Sequence, residues 1–112
     1  MDRFGRKARV QIDTAEAGDN TLVSAINPGI IEVDHITVLP SGGAQTLQLK
    51  DGSTVIWELS LDDNQAYVFD NASGNYPITL SNNSSLVLNL GAATQVDGYV
   101  LYRVMGDDAA TD

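Results

Sequence analysis

The chain has 112 residues, of which 43% are hydrophobic, carries a net charge of −9 and contains no cysteine. A chain of that size suits one domain with one core. The negative charge argues against nucleic acid as a partner, because phosphate contacts need a surplus of Lys and Arg. The lack of cysteine excludes disulfide staples, thiolate zinc sites and cysteine nucleophiles. No stretch approaches the ~18–20 apolar residues of a membrane span, and the first nine residues are charged and carry no apolar export signal. The expectation is a soluble protein with no membrane or nucleic-acid partner.

Along the chain, residues 1–6 form an expected flexible basic arm, residues 7–106 the folded domain and residues 107–112 an acidic flexible tail. Four of the six basic residues, Arg3, Arg6, Lys7 and Arg9, lie within the first nine positions. Lys7–Thr14 alternates with period two, Ala8, Val10 and Ile12 on one face and Lys7, Arg9, Gln11 and Asp13 on the other, so it predicts a half-buried strand. Residues 15–20 read as a turn around Gly18, residues 21–26 as a second strand, and Asn27-Pro28-Gly29 as its end.

The third strand, residues 30–39, changes phase. Ile31 and Val33 share one parity, and Ile36 and Val38 share the other. One extra residue at Asp34-His35, a β-bulge, returns both pairs to the core and bends the strand. After the loop at 40–43, residues 46–50 and 53–61 predict a hairpin whose Asp51-Gly52 suits a type I′ turn. Val55, Trp57, Leu59 and Leu61 are expected on its inner face. A short strand at 66–69 and an edge strand at 76–80, interrupted by Pro77, follow. Leu86, Leu88 and Leu90 alternate with Val87 and Asn89. Residues 95–105 are apolar on both faces, which marks a central strand covered on its second side either by a partner subunit or by a segment of this chain. No helical period is sustained. Eight or nine short strands predict an all-β fold: a single antiparallel β-sandwich, jelly-roll-like, of about eight strands.

Catalytic chemistry finds little support. His35 is the one histidine, Asp34 beside it points to the opposite face unless the bulge intervenes, and no Gly-x-Ser-x-Gly elbow presents a nucleophile. The expectation is no enzyme and no cofactor. A hydrolase on a jelly roll would need a cleft lined by Glu32, Glu58 or His35. Calcium would draw on Asp62, Asp63 and Asn64, or on Asp70, Asn71 and Asn75, but neither set has the spacing of a calcium-binding loop. Of the aromatic residues, Tyr76 and Tyr99 are the candidates for exposure and sugar stacking.

Several runs carry a resemblance. Asn20-Thr21-Leu22-Val23 precedes Ile31-x-Val33, Ile36-Thr37-Val38-Leu39-Pro40-Ser41-Gly42 and Asp51-Gly52-Ser53-Thr54. The closing run is Ser85-Leu86-Val87-Leu88-Asn89-Leu90-Gly91-Ala92-Ala93-Thr94-Gln95-Val96-x-Gly98-Tyr99-Val100-x-Tyr102. In this order of features the chain resembles the small β-sandwich head decoration or head-fibre proteins of tailed bacteriophages. Residues 61–67, rich in acid and amide, depart from the glycine-rich apolar segment common there. The resemblance implies a structural virion protein, made in the host cytoplasm and bound to the outer head surface. Its partner would be the major capsid protein, which it would cement as a homotrimer over a symmetry axis. The contact set it implies is Arg3, Arg6, Lys7 and Arg9 of the basic arm with Tyr99, Leu101 and Arg103 of the last strand. The alternative is a carbohydrate-binding module on a head or tail appendage that touches the host surface.

Overall fold

The computed structural model describes residues 7–71 and 77–105. The expected arm at 1–6, the acidic tail at 107–112, Asn75 and Tyr76 lie outside them. Among the described residues, nine strands occur in chain order: β1 (Lys7–Thr14), β2 (Gly18–Val23), β3 (Ile30–Pro40), β4 (Gln45–Asp51), β5 (Thr54–Leu61), β6 (Tyr67–Asp70), β7 (Ile78–Thr79), β8 (Leu86–Leu90) and β9 (Val96–Met105).

The pairing is that of one long antiparallel hairpin rolled up on itself. β4 pairs with β5, β3 with β6, β2 with β8 and β1 with β9. These pairs fall alternately into two sheets, because rolling the hairpin brings every second pair onto the same side. Cross-pairing of β3 with β9 and of β4 with β8 completes each sheet. Sheet one has the order β1-β9-β3-β6 with β7 also on β3, and sheet two has the order β2-β8-β4-β5. The chain is therefore an all-β antiparallel sandwich with jelly-roll topology.

The core between the sheets is aliphatic. Ile12, Ile31, Val33, Ile36, Val38, Val96 and Val100 come from sheet one, and Leu47, Leu49, Leu86, Leu88 and Leu90 from sheet two. Each fully buried side chain of this kind stabilises the fold by about 1.5–3 kcal/mol relative to exposure. Trp57, Tyr67, Phe69 and Tyr102 pack around it, partly buried. Trp57 of β5 meets Tyr67 of β6 edge to face, with ring centroids 5.5 Å apart. This contact ties the β5 edge of sheet two to the β6 edge of sheet one.

The bulge expected in the third strand is present. Val33 pairs with Tyr102 and His35 with Leu101, so Asp34 is the extra residue and the inward parity is restored for Ile36 and Val38. Three expectations need correction. The second strand begins at Gly18, not residue 21, because Asn20 closes the preceding turn from within the strand by bonding Thr14 Oγ1 and the Glu16 and Gly18 carbonyls. The hairpin turn centres on Gly52-Ser53, since Asp51 pairs with Thr54; with Gly52 at φ +60° in the first central position it follows the type II′ pattern and not type I′. Val55 does not share the inner face with Trp57. Leu49 pairs with Trp57 and Lys50 with Val55, so a bulge at Ile56 turns Val55 outward, where it is 46% exposed.

Candidate functional site

The outer face of sheet one gathers the chemistry. The register stacks its outward side chains in rows across β1, β9 and β3. Lys7, Arg103 and Glu32 form one row; Arg9, Leu101 and His35 the next; Gln11, Tyr99 and Thr37 the third; Asp13, Asp97 and Leu39 the last. On β6, Asp70 continues the second row and Val68 the third. Five of the expected contact residues, Lys7, Arg9, Tyr99, Leu101 and Arg103, are thus brought together on one face by two adjacent strands. Arg3 and Arg6 lie outside the described residues.

At the centre stands Tyr99. Its ring stacks on the His35 imidazole, with centroids 5.2 Å apart and planes 15° from parallel. The Arg9 guanidinium lies over the same ring, 4.7 Å from its centroid. Since β9 runs between β1 and β3, Arg9 and His35 flank the tyrosine from its two sides. A sugar ring seeking Tyr99 would have to displace one of them. Stacking and cation–π contacts of this kind are each worth about 0.5–1.5 kcal/mol.

The bulge supplies the second feature. Asp34, the extra residue, is only 3% exposed although it belongs to the outer side. Its Oδ2 accepts from Arg103 Nε at 3.1 Å and Nη2 at 3.0 Å. Its Oδ1 accepts from Asn71 Nδ2 at 3.0 Å, and Lys7 Nζ lies 4.0 Å away. A buried carboxylate survives only when paired and hydrogen-bonded, and Asp34 has both kinds of partner. Arg103 also reaches Glu32 at 3.8 Å, so its guanidinium is anchored in one orientation.

The opposite end of the face is anionic. Gln95 Nε2 donates to Asp13 Oδ1 at 2.6 Å and to Asp97 Oδ1 at 2.8 Å, and Ser41 Oγ donates to Asp97 Oδ2 at 2.6 Å. The Ser41 hydroxyl, followed by the Gln95 amide, holds the Asp97 carboxyl below its ordinary range against a small opposing effect of burial.

His35 has an arrangement that sequence order alone concealed. Its Nε2 lies 2.7 Å from Thr37 Oγ1 and its Nδ1 3.5 Å from Asp70 Oδ2. The carboxylate beside the imidazole is therefore Asp70, across the β3–β6 ladder, and not its chain neighbour Asp34. A hydroxyl, an imidazole and a carboxylate stand in the order used for nucleophilic catalysis, but they do so on a sheet face, with Tyr99 stacked on the imidazole. The residues that a hydrolase would need around one cleft are not brought together. Glu32 lies on the outside of sheet one, whereas Glu58 lies on the outside of sheet two and accepts from Gln48 at 2.7 Å. An open depression of about 310 Å³ lies elsewhere, between Ala44–Thr46, Ser60–Asp62 and Gly91–Ala92.

Among the described residues, no three His, Asp or Glu side chains converge in a way that suits a metal ion. In the acidic loop, Asp63 Oδ1 accepts from the Gly43 N–H, and the Asn64 N–H donates to the Pro40 carbonyl. In the other candidate set, Asp70 turns to His35 and Asn71 to Asp34, while Asn75 lies outside the described residues. His35, Thr37, Asp34, Asp70 and Asn71 were absent from the sequence-based contact set. The phase slip at Asp34-His35 was the one signal that pointed to two of them.

No family model matches the chain, and no curated protein does. Among solved structures, it is similar to a protein from work on Bacillus endospore appendages, described as a novel family of disulfide-linked pili. The TM-score is 0.54 and the identity 16%, over 90% of this chain and 87% of that one. At that identity the likeness is one of fold alone. The disulfide linkage named there has no counterpart in these 112 residues, which contain no cysteine.

Proposed function

We propose that this chain is a structural component of a larger particle, and that the outer face of sheet one joins it to its neighbours there. The observation that carries this reading is the Arg9–Tyr99–His35 stack beside the Asp34-anchored Arg103. Tyr and Arg held rigid on a broad face are the residue types that dominate protein interfaces, and holding them in place before contact lowers the entropy lost on binding. In its specific form, which the sequence resemblance supports, the chain decorates the outer head surface of a tailed bacteriophage and cements the major capsid protein as a homo-oligomer, without catalysis. Added interface area raises the cost of separating capsid subunits.

The test is to add the purified chain to particles stripped of it and to measure bound protein and the temperature of particle rupture. Saturable binding that raises the rupture temperature, and that weakens about tenfold or more for Tyr99→Ala, supports the reading. Particles that neither bind nor gain stability end it. A second reading, a subunit of a fibrous appendage, draws on the fold shared with the Bacillus protein. Filaments in electron micrographs of the concentrated chain would favour it.

A further inference from the structure

We propose that β1 is an open sheet edge to which a second copy of this chain adds its own β1, antiparallel about a two-fold axis beside Val10, so that sheet one continues from one copy into the next. The proposal concerns the edge of sheet one and goes beyond the reading of its outer face as an assembly surface.

Two sheets leave four edges, and among the described residues three of them are blunted. β2 carries a register shift between Thr21 and Val23, and β5 carries the bulge at Ile56. The far edge of sheet one is divided between the four residues of β6 and the two of β7. Bulges and very short strands are common protection against pairing with another chain. β1 has neither. Its eight residues pair with β9 one for one, without a shift and without a proline, and no turn or loop backbone bonds to it among the described residues. Alternate residues of a strand direct their N–H and C=O groups to opposite sides. Half of the backbone groups of β1 therefore point away from β9 with no backbone partner among the described residues. An extended strand is the ligand whose groups match that row.

The side chains of β1 narrow the choice of strand. Ala8, Val10 and Ile12 face the core side, and Lys7, Arg9, Gln11 and Asp13 face outward, so the added strand must alternate in the same phase. β1 itself, reversed, does so. With Val10 opposite Val10 of the second copy, Ala8 stands opposite Ile12, and the partly exposed Ala8 and Val10 gain apolar cover. On the outer side Lys7 stands opposite Asp13 and Arg9 opposite Gln11, so no two like charges face each other. Edge charges often serve to repel a second copy; these do not. The other edges of that copy are blunted, so β1 is the strand it offers. Within its own chain Lys7 Nζ lies 4.0 Å from Asp34, and Asp13 accepts from Gln95. The charges therefore set register, and the attraction lies in the backbone ladder. Seven paired residues add about six to eight hydrogen bonds. That is a small, closed contact, so the pair is expected to be reversible and concentration-dependent.

The experiment uses the full chain. Sedimentation equilibrium over a concentration series up to about 1 mM is expected to show the 11.9 kDa chain passing from monomer to pair. Asp13→Lys sets two lysines opposite each other at both ends of the ladder and should raise the dissociation constant about fivefold or more. The chain has no cysteine, so Val10→Cys brings one thiol of each copy to the axis, at the Cα spacing of about 4.5–5.5 Å that a disulfide spans. Oxidation should join these copies faster than it joins Val55→Cys, although Val55 is the more exposed. Circular dichroism matching the unaltered chain shows that the variants fold. Amide exchange on the unaltered chain needs no variant: alternate residues of β1 should gain protection as concentration rises, while β2 and β5 should not. A monomer at every concentration, a trimer, cross-linking no faster at Val10 than at Val55, or protection that spares β1 overturns the proposal. Binding to stripped particles is read separately. A monomer that binds them retires the pairing alone, and a pair that does not bind them retires the particle reading alone.

Discussion

The outer faces of the two sheets are built by different means. On sheet two, neighbouring polar side chains satisfy one another locally: Gln48 with Glu58, and Asp19 with Lys50 at 3.0 and 3.1 Å and with Asn89 at 2.7 Å. Its register shifts fall on β2 and β5, the edge strands, where bulges protect exposed edges from pairing. On sheet one, the shift falls on β3, an interior strand held by β9 on one side and by β6 and β7 on the other. An interior bulge has no edge to protect. It re-aims side chains, and here it sends both Asp34 and His35 to the outer side. Sheet two's outer polar groups are thus satisfied by their immediate neighbours, whereas sheet one's bulge holds particular groups still.

The largest effect is expected at Gly98, the third residue of β9. Its φ is +147°, and a Cβ there would collide with the carbonyl of Thr37. Gly98→Ala combines backbone strain with overpacking in a central strand and should cost about 4 kcal/mol or more, read as the loss of a cooperative urea transition. Gly91→Ala, at the end of β8, brings a Cβ to 3.3 Å from the Thr46 carbonyl oxygen without a positive φ, and should cost about 1 kcal/mol or less. Equal costs at the two glycines would show that sheet one is no more constrained than sheet two.

Next in size is Asp34. Asp34→Ala leaves the Arg103 guanidinium without its buried partner, and the expected loss is about 3 kcal/mol in urea denaturation. The matching change on sheet two, Gln48→Ala, removes an exposed hydrogen bond and should stay within about 0.5 kcal/mol. A small loss for Asp34→Ala would mean that water replaces the carboxylate, and that the bulge does not anchor Arg103.

The smallest effect is the acid limb of stability. Burial pushes the Asp51 carboxyl upward, but hydrogen bonds from Ser84 and from the Ser81 N–H and hydroxyl together outweigh it, and the group titrates below its ordinary 3.8. Asp19 is lowered by Asn89 and then by Lys50, and Asp97 by Ser41 and then by Gln95. Folded values below unfolded ones mean that the unfolded chain takes up protons first as pH falls. The stability due to these three groups is therefore complete above pH of about 4–5, and is lost as pH falls through the folded values. Denaturation midpoints between pH 6 and pH 2.5 should decline only at the acid end, and Asp51→Asn should make the decline shallower. A decline that begins near neutrality would point to a different set of groups.

Much of the fold was legible because burial on one side of a strand leaves a period-two trace. Val10 and Ile12, Leu47 and Leu49, and Leu86, Leu88 and Leu90 declare their inner faces without help. The slip between Val33 and Ile36 declared its bulge by the same logic. The bulge at Ile56 stayed hidden because TVIWELSL is apolar at successive positions, so no phase change showed. The site was half legible. Lys7, Arg9, Tyr99, Leu101 and Arg103 share outward parity on two strands, but their partners Asp34, His35 and Asp70 come from β3 and β6, whose register against β9 no local pattern encodes.

That this chain makes strands, which side of most of them is buried, and where β3 must gain a residue all follow from the alternation of side chains about an extended backbone. That β9 lies between β1 and β3, and hence that Tyr99 stands between Arg9 and His35 and that Arg103 covers Asp34, is visible in the folded chain and not in any segment. Those contacts join residues that lie up to 90 positions apart, and long-range pairing is chosen by how the whole hairpin rolls up rather than by any segment alone.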